Sequence, residues 1–310
     1  MRIVFFGTPE IALPSLQAVA AAHELVALVC RPDRPKGRSK KLVPPPTKQW
    51  ALDNGIEVNQ PEKLNDGAFE AWLSERAPEC CALVAYGRIL KQAILDVPSG
   101  GFLNVHTSLL PRHRGPSPIQ TALLEGDTET GVTVMGLNAE MDGGDILLQE
   151  TVPIAEYDTT GSLSEKLGEV GASALLRGIE QLENGDARFT PQDDSAATYC
   201  KLFKKEDGRI AWATSAEQIS NLVRAAHPWP VAHCRLYDQT VRIHVATVSE
   251  DPTEAPPGTV VRADAAGIVV ATGRGTLSIV TIQAPGKRPM PVADYLRGNP
   301  MTAGQTFEDL

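Results

Sequence analysis

The chain has 310 residues, of which 42% are hydrophobic and 22% are charged, a composition that excludes the disordered and fibrous classes and allows one large or two unequal domains. The net charge of -9 argues against a general binder of polyanions, and no apolar run approaches the ~20 residues that span a membrane. The cysteines number five, without a Cys-x-x-Cys pair, so we expect a cytoplasmic protein without disulfides and without a bound metal.

The first half of the sequence alternates short apolar segments with segments of helical pattern. Apolar runs predict strands at residues 3–6, 25–30, 80–86, 102–106, 131–137 and 145–153. Helices are predicted at 9–22, with Thr8 as N-cap, at 47–54 and 68–76, and in a long segment after residue 160. Apolar strands separated by helices indicate parallel pairing buried on both faces. The pattern therefore predicts an α/β doubly wound, mostly parallel sheet of Rossmann-like type.

Residues 31–48 stand out from this acidic background. They contain seven Lys or Arg residues and one Asp, together with five Pro residues and one Gly. Because Pro and Gly disfavour regular elements, we predict an exposed, irregular, mobile loop here. A basic run is often only a solvated loop, but its exposure in an acidic chain also fits contact with phosphates.

The second half of the sequence has a different pattern. Residues 189–205 lack apolar periodicity and predict a linker after a first domain at 1–188. A helix at 215–226 follows, and then short strands at 231–237, 241–248, 259–262, 267–271 and 276–282. Closely spaced short strands of this kind predict a small OB-like β-barrel as a second domain at 206–310.

Candidate catalytic groups lie where the strand at 102–106 ends. The first strand-to-helix turn lacks G-x-G-x-x-G, and the chain also lacks P-loop, H-E-x-x-H and G-x-S-x-G motifs. Asn104 and His106 are two residues apart, so they face one side of their strand, at the sheet edge where doubly wound proteins bind ligands. A His at a strand end is as often a hydrogen-bonded structural residue, and this interpretation stays open.

A second polar cluster lies in Asp142-Gly143-Gly144-Asp145. Asp and Gly favour tight turns, so this cluster is also consistent with a turn that has no further role.

Together these motifs resemble a known family. Asn104-Val105-His106, Ser108-Leu109-Leu110-Pro111, Arg114-Gly115 and Asp142 are similar to the 10-formyltetrahydrofolate-dependent formyltransferases. Residues 6–9, 32–35, 37–38, 85–90 and 228–230 are similar to the methionyl-tRNA formyltransferases within them. Ile11 and His113 stand where the family has aromatic residues, and Gly143 where it has Thr.

The resemblance implies a reaction and a set of site residues. The formyl donor is expected to be 10-formyltetrahydrofolate, and the acceptor the amino group of initiator methionyl-tRNA, bound through its acceptor stem by a monomer. The implied catalytic residues are Asn104, His106 and Asp142. The implied folate-binding residues are Arg88, Ile89, Leu90, Ser108, Leu109, Leu110, Pro111 and Asn138. The implied tRNA-binding residues are Arg34, Lys36, Arg38, Lys40 and Lys41.

Three alternatives remain open. A sugar-nucleotide N-formyltransferase and a formyltetrahydrofolate hydrolase would use the same Asn/His/Asp site, but neither needs the basic loop at 31–48. A non-enzymatic RNA-binding protein would keep His106 and Asp142 only for structure, and its function would survive His106→Ala.

Overall fold

A seven-stranded sheet forms the first part of the fold. The computed structural model describes residues 1–36 and 41–310. Its first nine strands are β1 (Arg2–Gly7), β2 (Glu24–Val29), β3 (Arg34–Lys36), β4 (Lys41–Val43), β5 (Glu57–Asn59), β6 (Cys80–Val84), β7 (Phe102–His106), β8 (Glu129–Gly136) and β9 (Ile146–Pro153). The first six helices are α1 (Leu13–Ala22), α2 (Pro46–Asp53), α3 (Ala68–Glu75), α4 (Gln92–Leu95), α5 (Pro118–Glu125) and α6 (Thr160–Asn184).

The order of strands in this sheet is β5-β2-β1-β6-β7-β8-β9. The pairs from β5 to β7 are parallel, and β8 and β9 continue the sheet antiparallel. Every residue of β6 and β7 is buried, as expected for strands covered on both faces. The predicted α/β, mostly parallel sheet is confirmed.

Helix α6 covers one face of the sheet and thereby fixes which way β7 presents its side chains. A Cβ built on Gly171 would lie 2.9 Å from the Val105 Cγ1 atom. Only glycine permits so close an approach. Val105 therefore faces α6, and its neighbours Asn104 and His106 face the opposite side of the sheet.

Two local predictions in this region are wrong. The segment predicted as one helix from Pro9 starts as a 3₁₀ turn at Glu10–Ala12, and Thr8 does not cap it, because its hydroxyl instead accepts the Arg31 backbone N–H at 3.2 Å. The basic segment is not wholly irregular, since β3 and β4 pair antiparallel in a short hairpin. Proline fits here because β3 and β4 pair only with each other, so each strand has one edge that needs no backbone N–H donor. Strand β5 and helices α4 and α5 lack a clear sequence signal.

The second part of the fold is an antiparallel β domain, as predicted. Its elements are α7 (Ala216–Ala225), β10 (Ala232–Leu236), β11 (Gln239–Ser249), β12 (Val260–Asp264), β13 (Gly267–Ala271), β14 (Thr276–Gln283), β15 (Met290–Pro291) and α8 (Val292–Gly298). The strand order is β10-β11-β14-β13-β12, and β15 pairs with β14. Thr306 forms a bridge with Thr259 and Glu308 with Arg235, so the last residues of the chain contact both ends of this order.

Contacts group the chain into two units. One contains residues 1–118, 129–153 and 164–201, and the other contains 119–128, 154–163 and 202–310. Domain limits at 188 and 206 stay a prediction. Among the described residues, we find no helix with the length and apolar character needed to cross a membrane.

Candidate active site

Strand β7 carries two polar side chains in an otherwise apolar environment. Asn104 and His106 are 6% and 7% exposed. Asn104 lies beside Leu83 of β6 and Met135 of β8, and His106 lies beside Thr133 of β8. β7 is therefore the strand at which the sheet changes from parallel to antiparallel pairing. Asn104 and His106 lie toward its carboxyl end, and open α/β sheets bind ligands outside the carboxyl ends of their strands.

Both ring nitrogens of His106 have a defined neighbour. Nε2 lies 3.0 Å from the backbone oxygen of His113. A carbonyl oxygen only accepts hydrogen bonds, so Nε2 must carry a proton. Nδ1 lies 3.7 Å from Oδ1 of Asp142. In neutral His106, the lone pair is therefore on Nδ1, and a proton added there would face the Asp142 carboxylate.

Asp142 is held in an uncommon backbone conformation. Its φ of 51° lies in the left-handed region, which costs a non-glycine residue about 1–3 kcal/mol unless the surroundings hold it. Its Oδ2 accepts the Gly115 backbone N–H at 2.8 Å, which leaves Oδ1 directed at His106. A Cβ on Gly144 would lie 1.7 Å from the Gly136 carbonyl oxygen, so only glycine lets this turn pack against the end of β8.

Asn104 differs from His106 and Asp142 because its side-chain amide has no hydrogen-bond partner among the described residues. Within residues 1–36 and 41–310, no group of the protein hydrogen-bonds its side chain, although it is almost fully buried. Buried polar groups normally find partners. The amide is therefore free to donate to, or accept from, a bound substrate.

The segment at 108–111 is fixed by the two antiparallel strands. Thr133 donates from Oγ1 to the Ser108 carbonyl at 2.7 Å and accepts the Leu110 N–H at 3.1 Å. Gln149 donates to the Leu110 carbonyl at 2.9 Å, and the Leu110–Pro111 peptide is cis. Ser108 donates its own hydroxyl to the Arg112 carbonyl at 2.6 Å, and Leu109 packs beside Gly131. These contacts give the predicted folate-binding segment a rigid backbone at the end of β7.

The other predicted folate-binding residues follow β6 or lie in the turn of Asp142. Arg88 donates to the carbonyls of Pro61 and Glu62 at 2.6 and 3.0 Å, Ile89 is 78% exposed, and Leu90 is buried. Asn138 is exposed and uses its amide within the turn, where it accepts the Glu140 N–H at 2.9 Å. The carboxyl ends of β6 and β7 are adjacent. These segments and the His106–Asp142 pair therefore lie at the carboxyl ends of the parallel strands.

Three of the five predicted tRNA-binding residues, Arg34, Lys36 and Lys41, belong to the hairpin β3–β4. Arg34 and Lys41 are exposed, and Lys36 pairs through its backbone with Lys41. Arg38 and Lys40 lie outside the described residues. Lys48, the remaining lysine of this basic segment, instead binds Asp33 at 2.8 Å and Gln60 at 2.8 Å. Lys48 thus supports the base of the hairpin and is neutralised there.

Sequence reasoning missed the residues behind Asp142. Arg114 is buried and donates to Gln192 and Asp194, while Gln192 donates to the carbonyls of Asp142 and Gly144. Arg114 was part of the recognised motif, but Gln192 lies in the segment predicted as a linker. The residues around Gln192 in the sequence are polar and lack a periodic pattern, so they gave no signal of a role at the site.

None of the cysteines is placed to act as a nucleophile. All five are buried, and none forms a disulfide in the structure. Burial raises the pKa of the Cys30 and Cys80 thiols to about 12. A thiol that stays protonated is a poor nucleophile, so the candidate reactive groups at this site are the amide, the imidazole and the carboxylate.

The sequence matches two family profiles that together cover most of the chain. The "Formyl transferase" profile matches residues 1–179, and "Formyl transferase, C-terminal domain" matches 202–300. A methionyl-tRNA formyltransferase from Moorella thermoacetica is 44% identical over 98% of each chain. One from Sorangium cellulosum is 41% identical over 99% of each chain.

Solved structures show the same fold at lower identity. An N-formyltransferase from Helicobacter canadensis, in complex with folinic acid and dTDP-3-aminofucose, superposes with a TM-score of 0.67 at 19% identity, over 91% of this chain and 98% of that one. HypX from Aquifex aeolicus, in complex with tetrahydrofolic acid, superposes with a TM-score of 0.64 at 19% identity, over 96% of this chain and 47% of HypX. At such identities the likeness concerns the fold alone.

Proposed function

Because this chain belongs to the methionyl-tRNA formyltransferase family, we propose that it transfers the formyl group of 10-formyltetrahydrofolate to the free amino group of methionine on initiator methionyl-tRNA. The product, N-formylmethionyl-tRNA, serves translation initiation. The observation that carries this proposal is 44% identity to a methionyl-tRNA formyltransferase over 98% of the chain. The formyl donor is a folate derivative, and the choice of the 10-formyl compound rests on the resemblance of the motifs.

In the proposed reaction, Asn104 stabilises the tetrahedral intermediate. The amine attacks the formyl carbon, and the carbonyl oxygen becomes negatively charged. Asn104 is buried and its amide has no protein partner in the described part of the chain, which supports its role as a donor to that oxygen. One such preorganised donor contributes about 3–4 kcal/mol of transition-state stabilisation.

His106 and Asp142 receive the proton that the amine releases after attack. The support is geometric, since Nε2 of His106 is used by the His113 carbonyl and Nδ1 faces the Asp142 carboxylate across 3.7 Å. A proton on Nδ1 turns this pair into an imidazolium–carboxylate pair. The C–N bond to N10 of the folate then breaks, and the same proton can be returned to N10. An unperturbed α-amino group titrates with a pKa of about 7.7–8.0, so part of the acceptor amine is already neutral near pH 7.

We assign the folate to the carboxyl ends of β6 and β7, beside the His106–Asp142 pair. Arg88, Ile89, Leu90 and Asn138, with residues 108–111, would line it. The fixed backbone of 108–111, held by Thr133 and Gln149, supports this assignment. Ligand sites of this kind combine apolar walls with a few fixed polar groups.

We assign the tRNA acceptor stem to the basic hairpin, through Arg34, Lys36, Arg38, Lys40 and Lys41. Exposed cations beside a dense phosphate backbone attract RNA without reading its sequence. We also propose that the β domain contributes to tRNA binding, that the domains are 1–188 and 206–310 with a linker at 189–205, and that the protein acts as a cytoplasmic monomer. The absence of a metal from the reaction stays a prediction.

The test supplies the purified protein with 10-formyltetrahydrofolate and charged initiator methionyl-tRNA and follows formylmethionine on the tRNA. We expect formylation that His106→Ala abolishes. Parallel reactions contain an amino-sugar nucleotide, or no acceptor other than water. Formylation of the sugar without formylation of the tRNA would establish the sugar-nucleotide alternative. Loss of formyl from the folate without any formylated product would establish the hydrolase.

A further inference from the structure

We propose that Gln192 is a positioning residue that holds Asp142 in register with His106. The proposal rests on the proposed formyl transfer and extends it to a residue outside the catalytic motifs. Gln192 does not reach His106, so it acts through the turn that carries Asp142.

The amide of Gln192 is oriented without ambiguity by its partners. Its Oε1 receives hydrogen bonds from Nε and Nη2 of Arg114 at 3.0 and 2.8 Å. A guanidinium group only donates, so the amide oxygen must face Arg114. Its Nε2 then faces the carbonyl oxygens of Asp142 and Gly144 at 2.8 and 2.7 Å, and donates to both.

These two hydrogen bonds hold the backbone on either side of Gly143. Asp142 has a φ of 51°, a conformation that a non-glycine residue keeps only when its surroundings hold it. The Gly115 N–H fixes one carboxylate oxygen of Asp142. Gln192 fixes its carbonyl, so backbone and side chain together direct Oδ1 at His106.

Gln192 is itself on an anchored segment. Before it, Thr190 exchanges two backbone hydrogen bonds with Ile146 of β9, each of 2.8 Å. After it, the Thr198 carbonyl accepts the Arg114 N–H and the Cys200 N–H donates to the Arg114 carbonyl, both at 2.8 Å. Arg114 therefore supports Gln192 with its side chain and the same segment with its backbone. A segment tied at both ends can transmit a fixed position to Asp142.

The substitution Gln192→Glu isolates the proposed role. Glutamate has nearly the same size and still accepts from Arg114, but its carboxylate oxygen would face two carbonyl oxygens instead of donating to them. We expect kcat to fall about 10- to 100-fold, as small displacements of catalytic groups do, with KM for both substrates within about twofold. Gln192→Met adds no charge, but it removes the two donors and also the oxygen that accepts from Arg114, and it should lower kcat by at least as much.

The control is Asp193→Asn. The Asp193 side chain is exposed and binds Ser195 within the same segment, so this variant reports any general loosening of the segment. We expect it to keep wild-type kcat. A fall in kcat equal to that of Gln192→Glu would assign the effect to the segment as a whole and overturn the proposal.

A double-mutant cycle with Asp142→Asn distinguishes a positioning role from a purely structural one. If Gln192 acts through Asp142, Gln192→Glu should change kcat by no more than about twofold in the Asp142→Asn background. Independent effects in the two backgrounds, or wild-type kcat for Gln192→Glu, would overturn the proposal. A wild-type protein that formylates another amine overturns the proposed acceptor instead, and the cycle is then measured on that turnover.

Discussion

Positive charge has different surroundings at the site that follows β7 and on the hairpin β3–β4. At the site, Arg114 is 3% exposed and donates to Gln192 and Asp194. On the hairpin, Arg34 and Lys41 are exposed, and neither forms an ion pair with any described residue. A buried, fully used cation fixes geometry, whereas an exposed cation without a partner is available to a phosphate. This difference is consistent with the two roles proposed above, chemistry at the end of β7 and phosphate binding on the hairpin.

Apart from the loss of activity expected for His106→Ala, the largest effect is expected at Asn104. Asn104→Ala removes the amide without touching the His106–Asp142 pair, and we expect kcat to fall about 100- to 1,000-fold with little change in KM, because the lost contact is made in the transition state. Steady-state kinetics with both substrates measure this. Asn54→Ala is the matched control, since Asn54 is an exposed residue that caps α2 through the Trp50 carbonyl. A change confined to KM would assign Asn104 to substrate binding.

A second substitution tests whether the buried cation of Arg114 stabilises the fold at the site. Arg114→Met leaves the Gln192 oxygen without its donors, and an unpaired polar group of this kind costs about 1–3 kcal/mol. Arg274→Met removes the cation of an exposed pair with Glu217, 78% and 67% exposed, and such pairs contribute about 0–1 kcal/mol. Melting temperatures should fall clearly for the first variant and hardly for the second. Equal shifts would remove the distinction between the two kinds of arginine.

The sequence predicted the placement of Asn104 and His106 better than the contacts that hold Asp142. Asn104 and His106 could be placed on one face because strand residues alternate, and the burial of both faces of the sheet followed from continuous apolar runs. The approach of Asp142 to His106 depended on the family resemblance, because no local rule brings two residues so distant in sequence together. Gln192 could not be found, since the long-range hydrogen bonds that give it a role leave no periodic pattern.

The hairpin shows the opposite limit of sequence reasoning. Pro and Gly predicted an irregular segment, yet Arg34 pairs with Val43 and Lys36 with Lys41. Local propensity argues against strands here. A two-stranded hairpin, however, needs few backbone N–H donors, so it can accommodate proline. Lys48 was counted with the basic residues, although its ion pair with Asp33 withdraws it from that set.

Substitutions on the basic segment should change tRNA binding and leave the chemistry intact. We expect Arg38→Ala to weaken tRNA binding and to reduce the slope of log K against log salt by about one, because one phosphate contact is lost. Folate affinity should stay at the wild-type value. Lys48→Met is the paired comparison within the same segment, since Lys48 is already neutralised by Asp33, and its slope should match wild type. An unchanged slope for Arg38→Ala would remove the loop from the tRNA interface.

The smallest expected effect concerns the ion pair at the base of the hairpin. Hydrogen bonds from Lys48 and Gln60 hold the pKa of the Asp33 carboxyl below its ordinary value. A carboxyl whose pKa is lower in the folded than in the unfolded protein stabilises the fold above its unfolded pKa of about 3.9, and this stabilisation is lost as the pH falls through the folded pKa. Asp33→Asn should therefore lower the melting temperature slightly at pH 7, and its difference from wild type should shrink below about pH 4. Because Lys48 and Asp33 are 20% and 27% exposed, water screens the pair and the shift should be smaller than for Arg114→Met. A difference that stays constant from pH 7 to pH 3 would mean that Asp33 supports the hairpin by its shape and hydrogen bonds, without a contribution from its charge.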